Sequence, residues 1–461
     1  MVKKPKKSTK KQNYKVKLPI LVIIPVLALL AKLFWLAITP GHGFYGSDGE
    51  NYLSAVAGLD SEGLFSKATN LYYWPAGYSI LVWFVSALNK PFTVTAVGII
   101  QSFFYAYGCL YFIKQLQNTR LKKYSLSLTF VLAFNPTLSL HSMVIGYETP
   151  AATLLLLSFA FLIKLYQEEA SRIYSRNSIL ASISFTLASF MQPRLLLIGF
   201  VMLTIFGFAK FRLKISILFL IVTFSITLIT PAFMIFRNER AMGFAAISTN
   251  LGRTMQLGAG DEASGAYSNK PKSQVVCIEN VGNPAQNDKE LIKCVLNWYV
   301  KNPNLAIGLF IRKSVFFWSP WSGPMATGTT MRNPWLKIDP VVKMANSESG
   351  YKTVFGNFGI LISWIWILGQ IFFLYLGARF LWRANGVERL MGIASLSVVL
   401  ISWGTALLTI GDHRFRIPTM GLSLFLQIVG FMALFGGKSR LVGSQTPLRW
   451  KTFERNANLQ P

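Results

Sequence analysis

Apolar residues run along this chain in blocks longer than the core of a soluble domain needs. Windows of about twenty apolar residues, enough to cross a roughly 30 Å hydrocarbon layer, recur at 18–37, 92–113, 214–236, 354–377 and 417–435. Polar, often basic segments separate them. Placing the basic segments on one side of a membrane fixes the crossings in between. The pattern then predicts about ten spans: 18–38, 93–113, 124–141, 150–165, 177–191, 195–209, 214–236, 354–378, 390–410 and 417–436. The expected fold class is an all-α polytopic membrane protein. The first run follows a basic start, as a signal peptide would. Its apolar part is longer than such a leader needs and no small-x-small site precedes Gly41, so it reads as a span that stays.

Two apolar segments do not fit as crossings. Residues 77–88 are short, and counting them would put the basic segment 114–123 on the wrong side; residues 305–318 contain Arg312 and Lys313. Both are expected as helices on the outer surface. The resulting organisation has a basic cytoplasmic tail (1–17), an N-terminal membrane module (18–236) with a first outer loop (39–92), and an extracytoplasmic loop or small cap (237–353). C-terminal spans (354–436) and a second cytoplasmic tail (437–461) complete it. This places the protein in the cell membrane with both termini inside.

Composition agrees: 461 residues, 52% of them hydrophobic and 14% charged, with a mean hydropathy of +0.42. The net charge of +28 would suit nucleic acid, but its placement argues otherwise. Basic residues gather at 1–17, 114–123, 164–176, 210–214, 379–389 and 438–455, between spans, where they set topology. No nucleic-acid partner is expected. Lys32 lies inside the first span, expected near its inner end. Cys277 and Cys294 both fall in the 237–353 loop, where they could close a disulfide; separate buried thiols are the other reading. No CxxC pair or His-rich group suggests zinc. The two halves of the chain do not repeat, which disfavours a secondary transporter.

With only 18 acidic residues available, two at one membrane edge are conspicuous. In YGSDGENYL, Ser47 and Glu50 have the spacing of a capping box. Asp48 is expected at the first helical position, with Tyr52 four residues on along the same face. Glu148, in GYETPAATLLLL, opens a span at the outer mouth. Arg237 ends a span, Lys313 sits in an apolar helix, and Arg414 and Arg416 precede the last span. Each has an ordinary explanation as a helix-start acid or a basic anchor at the interface. Together they make an outer ring of cations facing one or two carboxylates. Sugar transfer from a polyprenyl phosphate needs that set: cations hold the departing phosphate, and one carboxylate takes the proton of the attacking hydroxyl, with inversion.

The same residues resemble a known family. SDGENYLSAVAGL resembles the Asp-x-x-x-Tyr signature in the first outer loop of GT-C glycosyltransferases of the protein O-mannosyltransferase and aminoarabinose-transferase superfamily. WPAGYSILVWF is similar to that group's Pro-x-Gly-Tyr-Pro segment, with Ser79 in place of the second Pro. GYETPAATLLLL looks like its second acidic motif. The Arg-Asn to Ser-Thr-x-x-Gly stretch from Arg237 to Gly252, WYVKNPNLAIGLFIRKSVFFW and GDHRFRIP resemble its later patterns, in order. The resemblance implies a GT-C helical bundle whose first outer loop carries the chemistry. It implies Asp48 as catalytic carboxylate and Glu148 as second acid. Lys313, Arg414, Arg416 and Arg237 would be donor-phosphate contacts, with Tyr52, Ser47 and Glu50 in support. QPR at 192–194 departs from the group's Arg-Pro, so no role carries over to Arg194.

The expected activity is an inverting hexosyl or pentosyl transfer from a polyprenyl-phosphate sugar to a lipid, glycan or protein acceptor outside the cytoplasm. A lipid-sugar flippase and a non-enzymatic assembly scaffold are the alternatives. No cofactor is required by this chemistry. A divalent metal shared by Asp48 and Glu148 is a possibility with too few ligands to favour it.

Overall fold

The computed structural model describes residues 18–38, 48–169, 174–268, 273–277, 282–320 and 356–435. Among these the regular elements are helices. In chain order they are α1 (Leu18–Ile38), α2 (Gly49–Glu62), α3 (Ala76–Ser86), α4 (Thr93–Gln117), α5 (Ser125–Phe134), α6 (Glu148–Gln167), α7 (Arg176–Met191) and α8 (Leu195–Lys210). Next come α9 (Leu213–Thr227), α10 (Ile229–Met242), α11 (Leu251–Leu257), α12 (Pro284–Lys301), α13 (Pro303–Trp318), α14 (Asn357–Trp382), α15 (Val387–Leu408) and α16 (Ile417–Phe435). The tails, Ser47 and much of the 237–353 loop lie outside the described residues.

Among the described residues, seven stretches are long and apolar enough to cross a membrane: Pro19–Ile38, Lys90–Gln117, Glu148–Gln167, Leu213–Met242, Asn357–Trp382, Val387–Leu408 and His413–Phe435. The other three of the ten expected spans fall on shorter helices, α5, α7 and α8, of 10, 16 and 16 residues. At 1.5 Å per residue even the longer two reach only about 24 Å. α5 stops because Asn135 precedes a proline. The Asn135 side chain accepts the amides of Thr137 and Leu138, turning the chain out of the helix.

α6 is the axis of the bundle. Almost all of it is buried, from Glu148 to Leu165, as an all-round apolar helix requires. It packs against α4, α7, α8, α15 and α16. α14 and α16 approach so closely that a Cβ on Gly377 would sit 1.9 Å from the Leu426 carbonyl, and one on Gly430 2.0 Å from that of Phe373. The α9–α10 break has a local cause. Pro231 has no N–H for the Thr227 carbonyl, and the Thr186 hydroxyl, on α7, donates to that carbonyl instead at 3.0 Å.

At the end of the bundle where α1 finishes and α6 begins lie α2, α3 and a separate unit of α11, α12 and α13. This unit has its own small core, including Met255, Val295, Tyr299 and Leu309, and a disulfide between Cys277 and Cys294. Asn283 caps α12 by accepting the Gln286 amide, and Pro284 stands in the first turn, where its missing N–H costs nothing. Lys32 is not at the far end of its span. Its ammonium donates to Ser142, shortly before Glu148, and so belongs to this same end.

Candidate active site

Three segments distant in sequence meet at this end: the start of α2, the start of α6 and the turn His413–Arg416 before α16. α2 begins one residue later than expected, with Asp48 as its N-cap residue rather than inside the helix. Asn51, not Glu50, then occupies the third helical position, so the Ser47–Glu50 spacing is out of register with a capping box. Glu50 is exposed. Asp48 makes no side-chain cap to its own helix. Its carboxylate is engaged elsewhere.

That partner is Arg414. Its Nη1 donates to Asp48 Oδ2 at 2.6 Å, and its Nε donates to Glu148 Oε1. One guanidinium therefore clamps both candidate carboxylates, a planar fork using two of its edges. Side-chain exposure is 14% for Arg414, 19% for Asp48 and 3% for Glu148, so the pair faces a largely dry space with Asp48 its wettest member. Asp48 Oδ1 carries no hydrogen bond among the described residues. The turn that delivers Arg414 is held by Asp412, whose Oδ1 accepts the Arg414 amide at 2.9 Å and lies 3.1 Å from His413 Nδ1.

Aromatic residues wall the site. Tyr52 packs edge-on against Tyr78 with ring centroids 4.8 Å apart. The Tyr78 hydroxyl accepts the Gly146 amide and Gln101 Nε2, both at 2.8 Å, and so fixes the backbone just ahead of Glu148. The Arg414 guanidinium lies over the Tyr147 ring, 5.8 Å from its centroid. Burial pushes the Tyr52 and Tyr147 hydroxyls above their ordinary values, so both stay neutral hydrogen-bonding groups.

Other cations expected at the site are committed elsewhere. Arg237 is fully buried; it donates to the carbonyls of Leu64 and Leu71, each at 3.1 Å, and to that of Ser66. It ties down the connection between α2 and α3. Lys313 is also fully buried, donating to the Leu407 and Thr409 carbonyls and the Tyr299 hydroxyl. Arg416 donates to Gln370 Oε1 at 2.8 Å and to the Ser319 carbonyl, and stacks on Trp318. A basic residue near an apolar edge places its N–H groups on whatever acceptors packing brings close; here these are backbone carbonyls, the Tyr299 hydroxyl and the half-buried Gln370 amide, while Arg416 Nε has no partner among the described residues. Arg237, Lys313 and Arg416, expected as donor-phosphate contacts, thus spend the donors named above on acceptors within the fold.

Arg194 takes the opposite course. It stands largely buried beside the site, stacked on the Phe415 ring at 4.3 Å. It makes only long hydrogen bonds, 3.4 Å to the Tyr147 hydroxyl and 3.4 Å to the Phe415 carbonyl. Gln192 donates to the same Tyr147 hydroxyl at 3.0 Å. Among the described residues no carboxylate forms a salt bridge with Arg194. In sequence its only signal was a basic residue in a tight turn between two apolar runs. No group of three or more His, Cys, Asp or Glu that could hold a metal ion occurs among the described residues.

No family model matches the sequence, and no curated protein matches it. Among solved structures, the zinc and sulfate complex of the Archaeoglobus fulgidus oligosaccharyltransferase aligns at TM-score 0.49 and 14% identity, covering 91% of this chain and 49% of that one. ArnT from Cupriavidus metallidurans aligns in its apo state at TM-score 0.38 and 13% identity, covering 89% of this chain and 76% of that one. Bound to undecaprenyl phosphate it aligns at TM-score 0.35 and 12% identity, covering 90% and 77%. This chain spans about half the length of the archaeal enzyme.

Proposed function

We propose that this chain is a membrane glycosyltransferase that moves a sugar from a polyprenyl-phosphate donor to an acceptor hydroxyl on the extracytoplasmic side. One observation carries the reading: Arg414 clamps the carboxylates of Asp48 and Glu148, while Arg194 beside them is salt-bridged to no carboxylate among the described residues. A carboxylate with one oxygen held, and the other without a hydrogen bond among the described residues, is oriented as a base. A nearby cation without a partner carboxylate suits an arriving anion.

In this reading the acceptor oxygen attacks the anomeric carbon as the bond from that carbon to the phosphate oxygen breaks. The acceptor proton passes to Asp48 Oδ1. The electron pair of the breaking bond leaves with the polyprenyl phosphate, whose charge Arg194 receives, assisted by the field of Arg414. A single displacement inverts the anomeric centre. Glu148 holds Arg414 from the buried side, so that the guanidinium cannot swing away from Asp48. The two arginines supply the positive charge the leaving group needs, so the reading requires no metal ion.

The test uses membranes carrying the full chain or its Asp48→Asn variant, supplied with a radiolabelled polyprenyl-phosphate sugar. Transfer of label should fall by a factor of roughly 10² to 10⁴ in the variant, the contribution expected of a positioned base. Undiminished transfer would remove Asp48 from the mechanism and the reading with it.

A further inference from the structure

Lys313 presents three N–H donors to three acceptors in a fully buried pocket: the Tyr299 hydroxyl at 2.8 Å, the Leu407 carbonyl at 2.9 Å and the Thr409 carbonyl at 2.6 Å. An ammonium has three donors and no acceptor, so its capacity is filled. The two carbonyls lie at the C-terminus of α15, where a helix leaves its last carbonyls without intrahelical partners. The carbonyl between them, of Leu408, is met by the Tyr299 hydroxyl at 3.3 Å. Lys313 and Tyr299 together close that end of α15.

The turn that carries Arg414 comes directly after α15. Its path is tightly bounded: the Gly411 amide donates to the Gly265 carbonyl at 2.8 Å, and a Cβ on Gly411 would lie 2.5 Å from Lys313 Cα. The backbone of Lys313 thus walls the turn while its side chain holds the two carbonyls that lead into it. Three residues beyond Gly411, Arg414 reaches Asp48 and Glu148.

We propose that Lys313 is a positioning residue for Arg414: by holding the Leu407 and Thr409 carbonyls it fixes the turn from which the guanidinium spans both carboxylates. α13, which packs against the turn, and α12, which acts through Tyr299, thereby set the geometry of the clamp. The claim about backbone position is independent of the reaction; its consequence for rate rests on the sugar-transfer reading.

Hydrogen exchange on the full chain in lipid nanodiscs tests the first part. In Lys313→Ala the amides of Gly411 and Arg414 should exchange at least about tenfold faster, with those of α16 unchanged; equal protection in variant and wild type overturns the proposal. Lys313→Met, which keeps the apolar stem and loses every donor, gives the same reading if the alanine variant does not fold. The second part is a rate measurement with radiolabelled polyprenyl-phosphate sugar. We expect kcat to fall tenfold or more with the donor KM within about twofold, and n-propylammonium, with three N–H donors, to restore part of the rate to Lys313→Ala. Tetramethylammonium, with none, should not. A loss confined to KM, or equal rescue by both ions, argues against positioning. A wild-type chain that moves no sugar sinks the transfer reading alone, and the exchange result then still decides the role of Lys313.

Discussion

Arg414 and Asp48 are 366 positions apart in the chain and share a hydrogen bond of 2.6 Å, with Glu148 held on another edge of the same guanidinium. An ammonium in place of that fork is a compact point charge without the rigid planar spacing that fits both carboxylates at once. Arg414→Lys should therefore lower sugar transfer by a hundredfold or more while the protein still folds. Arg414→Ala should do more harm, leaving the nearly buried Glu148 without its partner, at a cost on the order of 3–5 kcal/mol of stability. Transfer assays beside thermal unfolding in detergent separate the two effects. A lysine variant with full activity would show that the clamp is dispensable.

Arg194 should govern donor affinity rather than turnover. If it receives the phosphate, Arg194→Gln raises the donor KM by about tenfold, equivalent to about 1.4 kcal/mol, and leaves the acceptor KM near its wild-type value. Titration with the donor and with the free polyprenyl phosphate should show the same loss. Unaltered donor binding would assign the phosphate elsewhere.

The rate should respond to pH through Lys313, which burial pushes down to about 7. Its folded value is depressed, so the unfolded chain binds the extra proton between about 7 and the ordinary lysine value. The stability term is thus fully present above the unfolded value and is lost as pH falls through about 7. The three-acceptor arrangement has the opposite preference, because the neutral amine has one N–H fewer. We expect kcat to decline as pH rises through about 7 while the unfolding temperature holds or increases, and Lys313→Met to lack that limb. A rate that drops in step with the unfolding temperature contradicts this assignment.

The seam between α14 and α16 should tolerate no bulk. Gly430→Leu drives a side chain into the Phe373 carbonyl, 2.0 Å from where its Cβ must sit. Overpacking of this kind costs about 1–3 kcal/mol, and more where backbone must yield. The variant should unfold at lower temperature or fail to accumulate. Normal accumulation and stability would mean that the two helices can part without penalty.

The disulfide should matter to the α11–α13 unit and little to the bundle. Cys277 and Cys294 close a loop with a sequence separation of 17, for which chain entropy suggests about 3 kcal/mol. A Cys277→Ser, Cys294→Ser double variant should expose that unit to protease while α4, α6 and α16 remain resistant. Equal protection with and without the bond would place the stability of the unit in its apolar core alone.

Much of this architecture was readable in advance because its signals are local. A twenty-residue apolar run such as 18–38 or 417–436 announces a helix whatever surrounds it, since a lipid-exposed backbone must satisfy its own hydrogen bonds. Helices α3 and α13 were legible for the same reason. α7 and α8 fall within a residue of the expected 177–191 and 195–209, whereas α5 is cut short by the Asn135 turn, which hydrophobic run length does not reveal. Asp48, Glu148 and Arg414 stood out as rare charges at the ends of apolar runs.

The sequence by itself determined which segments are helical and which few charges lie at their ends, because hydrophobic run length and the scarcity of acids act along the chain. Tertiary structure alone decided what each charge does. Lys313, Arg237 and Arg414 look equivalent in one dimension, yet packing turns the first two onto backbone carbonyls and the third onto two carboxylates. It also leaves Arg194, the least conspicuous of them, without a salt-bridged carboxylate among the described residues. A hydrogen bond depends on angles and tenths of an ångström, and only the packed helices set those.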